Sequence, residues 1–182
     1  MRMLVQRTPT TENAPFVLDE LKEYTRIDAP DDDVTLNKMG YAAVAEVEHF
    51  GQVALLSQAI RVTILDLVHG AGLTLPIGPV AEGGAATVTI DGQPFTDFDL
   101  VAGTRPYISW PASIRGKASA RVVIEYPAGF GDEAEDIPED LSQAVLDQVA
   151  LIFDERAPRE AKTLARSSHL ARVGARYRGV SI

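Results

Sequence analysis

The sequence predicts an α+β fold: two N-terminal helices and one C-terminal helix around a central antiparallel β insertion, followed by an extended C-terminal arm. Three observations predict it. Apolar residues recur at three- and four-residue spacing in stretches near the two ends. The middle of the chain is rich in β-branched residues and is broken by glycine pairs. Strands do not alternate with helices, which removes a doubly wound sheet. Residues 1–158 read as one folded body and residues 159–182 as a basic arm.

The elements follow in order. Residues 1–14 are polar and are expected to be loosely held. Leu18, Leu21 and Tyr24 make an apolar stripe that predicts a short helix over 17–25, with Asp19, Glu20 and Glu23 toward its start. Pro30 breaks the chain, and the Asp31-Asp32-Asp33 run offers an N-cap. Leu36, Met39, Ala43, Val47 and Phe50 then predict a helix over 33–50. Gly40 inside it suggests a close helix contact, and Gly51 a C-cap. The β segment, about 58–127, holds strands over 59–68, 73–77, 86–91, 98–101, 106–110 and 119–126. Asp91-Gly92 between apolar runs is a hairpin signal. Pro138 opens a helix over 138–157, whose apolar face is Leu141, Ala144, Val145, Val149, Ile152 and Phe153. Beyond Pro158, a helix could run from Arg159 to Ala171, while Gly174 and Gly179 point to a loose end.

Composition limits the chemistry. The 182 residues are 46% hydrophobic and 24% charged, as in an ordinary globular protein. No cysteine is present, which excludes disulfides, thiolate metal sites and cysteine nucleophiles. No apolar run approaches the roughly 20 residues of a membrane span. A soluble intracellular protein is the expectation. The net charge is −9, but residues 156–182 hold seven bases and one acid. An acidic body with a basic end suggests a charged partner for that end. Broad nonspecific DNA binding needs many bases facing phosphates, and the body lacks them.

Catalytic motifs fail one by one. His49, His69 and His169 are far apart, with no pair at ligand spacing, so no metal site is expected. His49, beside Phe50, reads as a partly buried structural histidine. His69-Gly70-Ala71-Gly72 begins like a dinucleotide fingerprint, but Leu75 stands where the third glycine belongs. No Gly-x-Ser-x-Gly occurs. The acids at 132–140 read as a solvated loop and helix-start charge, and less readily as a cation site or as the acids of a small hydrolase. Tyr107 and Trp110 could stack on a sugar, which gives a ligand- or carbohydrate-binding β domain as the alternative function. They more readily fill a core or an oligomer contact. Arg166, Arg172, Arg176, Tyr177 and Arg178 are the candidate binding residues, since Arg and Tyr dominate interface energetics.

Several pieces in this order resemble a known family. They are Leu18-Asp19-Glu20-Leu21-Lys22-Glu23-Tyr24-Thr25-Arg26-Ile27-Asp28 leading to Asp31-Asp32-Asp33, and the long helix ending at Phe50-Gly51. Next come Val122-Val123-Ile124-Glu125-Tyr126-Pro127-Ala128-Gly129-Phe130-Gly131 and Ile137-Pro138-Glu139-Asp140-Leu141, whose helix reaches Phe153-Asp154-Glu155-Arg156. The chain from about Val17 to Arg156 resembles the head–tail connector, or adaptor, proteins of tailed bacteriophages and of gene transfer agents. The resemblance implies a non-enzymatic component of a phage-like particle without cofactors, assembled in the bacterial cytoplasm. It implies a ring, usually of twelve copies, beneath the portal protein, extending the DNA channel toward a stopper or tail protein. DNA would pass without sequence-specific binding. The C-terminal extension would engage the portal, which would make the five arm residues portal-binding. The sequence reading also expects residues 1–158 to fold without the arm.

Overall fold

The computed structural model describes residues 2–27, 29–65, 72–110, 121–154 and 167–178. The fold is α+β, as expected. The chain divides into two compact units, each made of separate stretches. Residues 1–12 and 56–130 form a β unit, and residues 13–55 and 131–182 form a helical unit. No helix among the described residues is long and apolar enough to cross a membrane.

The β unit begins with a correction. Residues expected to be loose form strand β1, Arg2–Pro9, which pairs antiparallel with β2, Gln58–Leu65, along its whole length. Then come β3 (Gly72–Thr74), β4 (Thr87–Ile90), β5 (Gln93–Phe95), β6 (Asp99–Val101), β7 (Tyr107–Ser109) and β8 (Val122–Ala128). One sheet has the order β1-β2-β8-β4-β5 and the other β3-β7-β6, with every pair antiparallel. Period-two alternation sets the register. Ile60, Val62 and Ile64 of β2 face Tyr126, Ile124 and Val122 of β8, and all six are buried. Val88 and Ile90 of β4 continue the same rows. The hairpin signal holds: Asp91 and Gly92 join β4 to β5 with φ of 51° and 81°, the turn that matches strand twist.

Tyr126 brings the one polar group into these rows. Its hydroxyl donates to the Ile77 carbonyl at 3.0 Å and accepts from the Ile77 N–H at 3.3 Å. Burial pushes its pKa well above the ordinary tyrosine value, with the Ile77 hydrogen bond and the charge of Arg7 as smaller opposing effects. The folded state thus favours the neutral phenol. That stabilisation is complete below the unfolded pKa of about 10 and is lost as pH rises toward the folded value. Tyr126→Phe should cost about 1–3 kcal/mol at neutral pH, because it leaves both Ile77 groups unpaired. It should also flatten the loss of stability above about pH 10. Urea titrations at pH 7 to 11 would measure both effects.

The helical unit contains α1 (Leu18–Thr25), α2 (Asp33–Gly51), α3 (Glu139–Asp154) and α4 (Ser168–Arg178). The predicted stripes are its core. Leu21, Leu36, Met39, Ala43, Val47, Leu141, Ala144, Val145 and Val149 are buried, while Phe50, Ile152 and Phe153 are partly covered. Residues 155–157 of the predicted third helix lie outside the described residues, as do 66–68 of the predicted first strand.

Several caps differ from expectation. The aspartate run makes no side-chain cap; Pro30–Asp32 is a 3-10 turn, and Asp33 pairs with Lys22 at 2.7 Å. Gln52, not Gly51, takes the left-handed conformation that ends α2, and its N–H reaches the Glu48 carbonyl. The residue against Gly40 is Phe16, from the segment before α1, whose ring fills the space that a Cβ would need. The ring also meets Tyr41 edge-on, 5.2 Å between centroids.

The largest difference is at the C-terminus. Where a helix was expected only as far as Ala171, with a loose end around Gly174, residues 168–178 form a helix with Leu170 and Val173 buried, while 159–166 of the expected helix lie outside the described residues. Gly174 accounts for the difference: the Phe50 ring fills the space that a Cβ would need, so glycine is there to let α4 approach α2. The expectation that the body needs nothing beyond residue 158 for its core therefore gives way.

Candidate functional site

The sequence-predicted site maps onto α4. Arg172 is exposed on this helix. Arg176 Nη1 donates to Asp140 Oδ2 at 2.8 Å, and the Tyr177 hydroxyl donates to Asp140 Oδ1 at 3.1 Å. Arg178 places its guanidinium 5.1 Å from the centre of the Phe50 ring. Arg166 lies outside the described residues. Four of the five residues thus sit on one helix, and three of those are oriented by the helical unit itself. Burial, then the Asp140 carboxylate, raises the Tyr177 pKa above its usual value. Sequence reasoning missed Asp140 and Phe50 as partners. Asp140 was visible only as helix-start charge.

The start of α4 is fixed by Gln148, a buried polar side chain on α3. Its amide donates to Glu46 of α2, and its oxygen accepts from the Ser167 N–H at 3.2 Å. The Ser167 hydroxyl accepts from the Leu170 N–H at 3.0 Å, an N-cap bond. One glutamine therefore ties three helices together. The basic face of α4 is held by a built support, with the arginine heads outermost.

The other candidates take structural roles. Asp136 accepts from the N–H groups of Asp132 and Glu133, and Glu133 completes a capping box around the 3-10 turn Ala134–Asp136. Asn13 donates to the Asp132 carbonyl and to Glu133 Oε1. Among the described residues, no group of three or more His, Asp or Glu is placed to hold a metal ion. Trp110 is only 6% exposed, so its ring is not a stacking platform. The end of the Tyr107 side chain lies against Gly72 of β3. His49, expected to be partly buried, is exposed on α2. His169 Nδ1 lies 3.4 Å from Asp147 Oδ2, and His69 lies outside the described residues. A groove of about 690 Å³ between α1 and α3 has Glu20, Glu23, Glu135 and Glu139 in its lining, with Arg26 as its one base.

The comparisons with solved structures decide the fold. A chain from the virion of a native gene transfer agent particle matches with a TM-score of 0.73 and 25% identity, over 98% of this chain and 97% of that one. The fold is that of a gene transfer agent virion chain. Chains from the neck of an empty particle, computed with C6 symmetry, and of a native particle, computed with C12 symmetry, match with TM-scores of 0.74 and 0.71 at 24% and 23% identity. Each match again covers 98% of this chain and 97% of the other. No family model and no curated protein matches the chain. The resemblance read from the sequence is borne out at the level of the fold, β segment included.

Proposed function

We propose that this protein is a structural component of the neck of a gene transfer agent or phage-like particle, acting as the adaptor ring between portal and tail. The observation that carries this reading is the end-to-end match to neck chains, 98% of this chain against 97% of theirs. The site chemistry agrees. The Glu133 and Asp136 carboxylates are used as caps, and of the aromatic pair of the alternative reading Tyr107 belongs to β7 while Trp110 is buried. The protein works by assembly, not by turnover.

The charge pattern gives the two ends of the ring their tasks. An acidic surface, of which the groove carboxylates are a part, keeps passing DNA from adhering, because its carboxylates outnumber its bases and few bases are there to displace counterions. The basic face of α4, with Arg166, meets an acidic surface of the portal, where complementary charge sets register and encounter rate. Twelve copies, with a stopper or tail protein docked below, complete the assembly.

Electron microscopy of purified particles with this chain located in the density tests the reading directly. A chain absent from particles, or outside the neck, would overturn it. Attachment to the portal should weaken as salt rises from 50 to 500 mM. Arg172→Glu should weaken it at least tenfold with the melting curve unchanged, because Arg172 is exposed on α4. Arg176→Glu is a poorer probe, since it also breaks the pair with Asp140. Attachment indifferent to both salt and Arg172→Glu would remove α4 from the portal contact.

A further inference from the structure

The five-stranded sheet has two edges of opposite character. β5 is three residues long with Pro94 at its centre, which cannot donate a ladder hydrogen bond. Proteins commonly blunt an edge in this way. β1 has eight residues in unbroken register with β2, its only proline at the end, and no other strand partner among the described residues. Leu4 is 60% exposed there, on the face it shares with Arg2 and Gln6. Such an edge invites a further chain.

A complementary edge exists on the same molecule. β6 bounds the three-stranded sheet and pairs only with β7 among the described residues. Its Val101 is 55% exposed. Asp97 and Asp99 are exposed beside it, with no base from Thr96 to Ala102. Residues 2–11, by contrast, carry Arg2 and Arg7 and no acid. One edge is apolar and positive, and the other is apolar and negative.

We propose that the β1 edge of one copy docks on the β6 edge of the next, with Leu4 against Val101 and Arg2 against Asp97 and Asp99. The inference rests on the ring assembly proposed above and names the contact that closes it. Two different patches on one chain make a head-to-tail contact, which generates rings when the rotation closes. Solved necks of the same fold were computed with six- and twelve-fold symmetry, which such a contact can satisfy.

The chain has no cysteine, so thiols can be placed at will. Particles carrying Leu4→Cys with Val101→Cys are treated with a short bis-maleimide and run on a denaturing gel. A ladder of dimers, trimers and higher species is expected, at least tenfold stronger than with either single variant. Adding Arg2→Asp should reduce the ladder severalfold, and adding Asp99→Arg as well should restore it. A dimer from Leu4→Cys alone would mean that β1 meets β1, and would overturn the proposal. A missing ladder in particles whose micrographs show the ring would overturn it too, while leaving the ring intact. Particles without the chain would defeat both readings.

Discussion

Gly129→Ala is expected to destabilise the β unit by about 3 kcal/mol or more. Gly129 follows β8 with φ of 138°, a conformation that side chains rarely adopt. Its N–H donates to the Pro79 carbonyl at 3.0 Å, which holds the chain in place. A Cβ there would lie 2.6 Å from the Leu56 carbonyl carbon and oxygen and 2.7 Å from Ser57 Cα. All three are backbone atoms, so no rotamer change relieves the collision. Gly83 is the control: its φ is also positive, at 80°, but nothing lies within 4 Å of its Cβ position. Gly83→Ala should therefore cost only the conformational part, about 1–2 kcal/mol. Urea midpoints for the two variants measure the contrast. Equal midpoints would mean that Leu56 and Ser57 yield freely.

The second large effect is expected at Leu170. Leu170→Ala should cost about 2–5 kcal/mol, the range for emptying a fully buried leucine site. The side chain sits on α4, which packs against both α2 and α3. Arg172→Ala, two residues on and exposed, should change stability by less than about 0.5 kcal/mol. Helicity followed against urea separates the outcomes. A Leu170→Ala midpoint close to the parent's would mean that α4 merely leans on the unit. The same packing changes how the basic end should be probed. Removing everything after residue 158 would uncover the core of α2 and α3, so lost attachment could reflect unfolding. Single changes at exposed arginines avoid that.

The parts of the fold legible in the sequence are those whose partners lie on the same element. The stripes of α2 and α3 are local patterns, and their members are buried as the spacing implies, except Phe50, Ile152 and Phe153 at the helix ends, which are partly covered. The Asp91-Gly92 turn is equally local. β1 was not legible for a physical reason. Most of its side chains are exposed, so no burial pattern marks it, and what holds it is pairing with a strand distant in sequence, Pro9 with Gln58 at one end and Arg2 with Leu65 at the other. Glycine misled in α4 because the same residue serves loose ends and close contacts, and only the Phe50 ring distinguishes them. The candidate binding residues are legible as a set of bases and one tyrosine. Their fixation by Asp140 and Phe50 was not, since it depends on elements far along the chain.

The interleaving of the two units bears on how the protein is made. All the pieces of the β unit have left the ribosome once residue 130 emerges. The helical unit still lacks α3 and α4 at that moment, and its first half must wait beside the exit tunnel with Leu36, Met39 and Val47 uncovered. Emergence of α3 and of the arginine-bearing α4 is thus the event that retires this exposed surface. A nascent chain stalled before residue 167 would present a finished sheet and an unfinished bundle, a form that quality-control proteases can recognise.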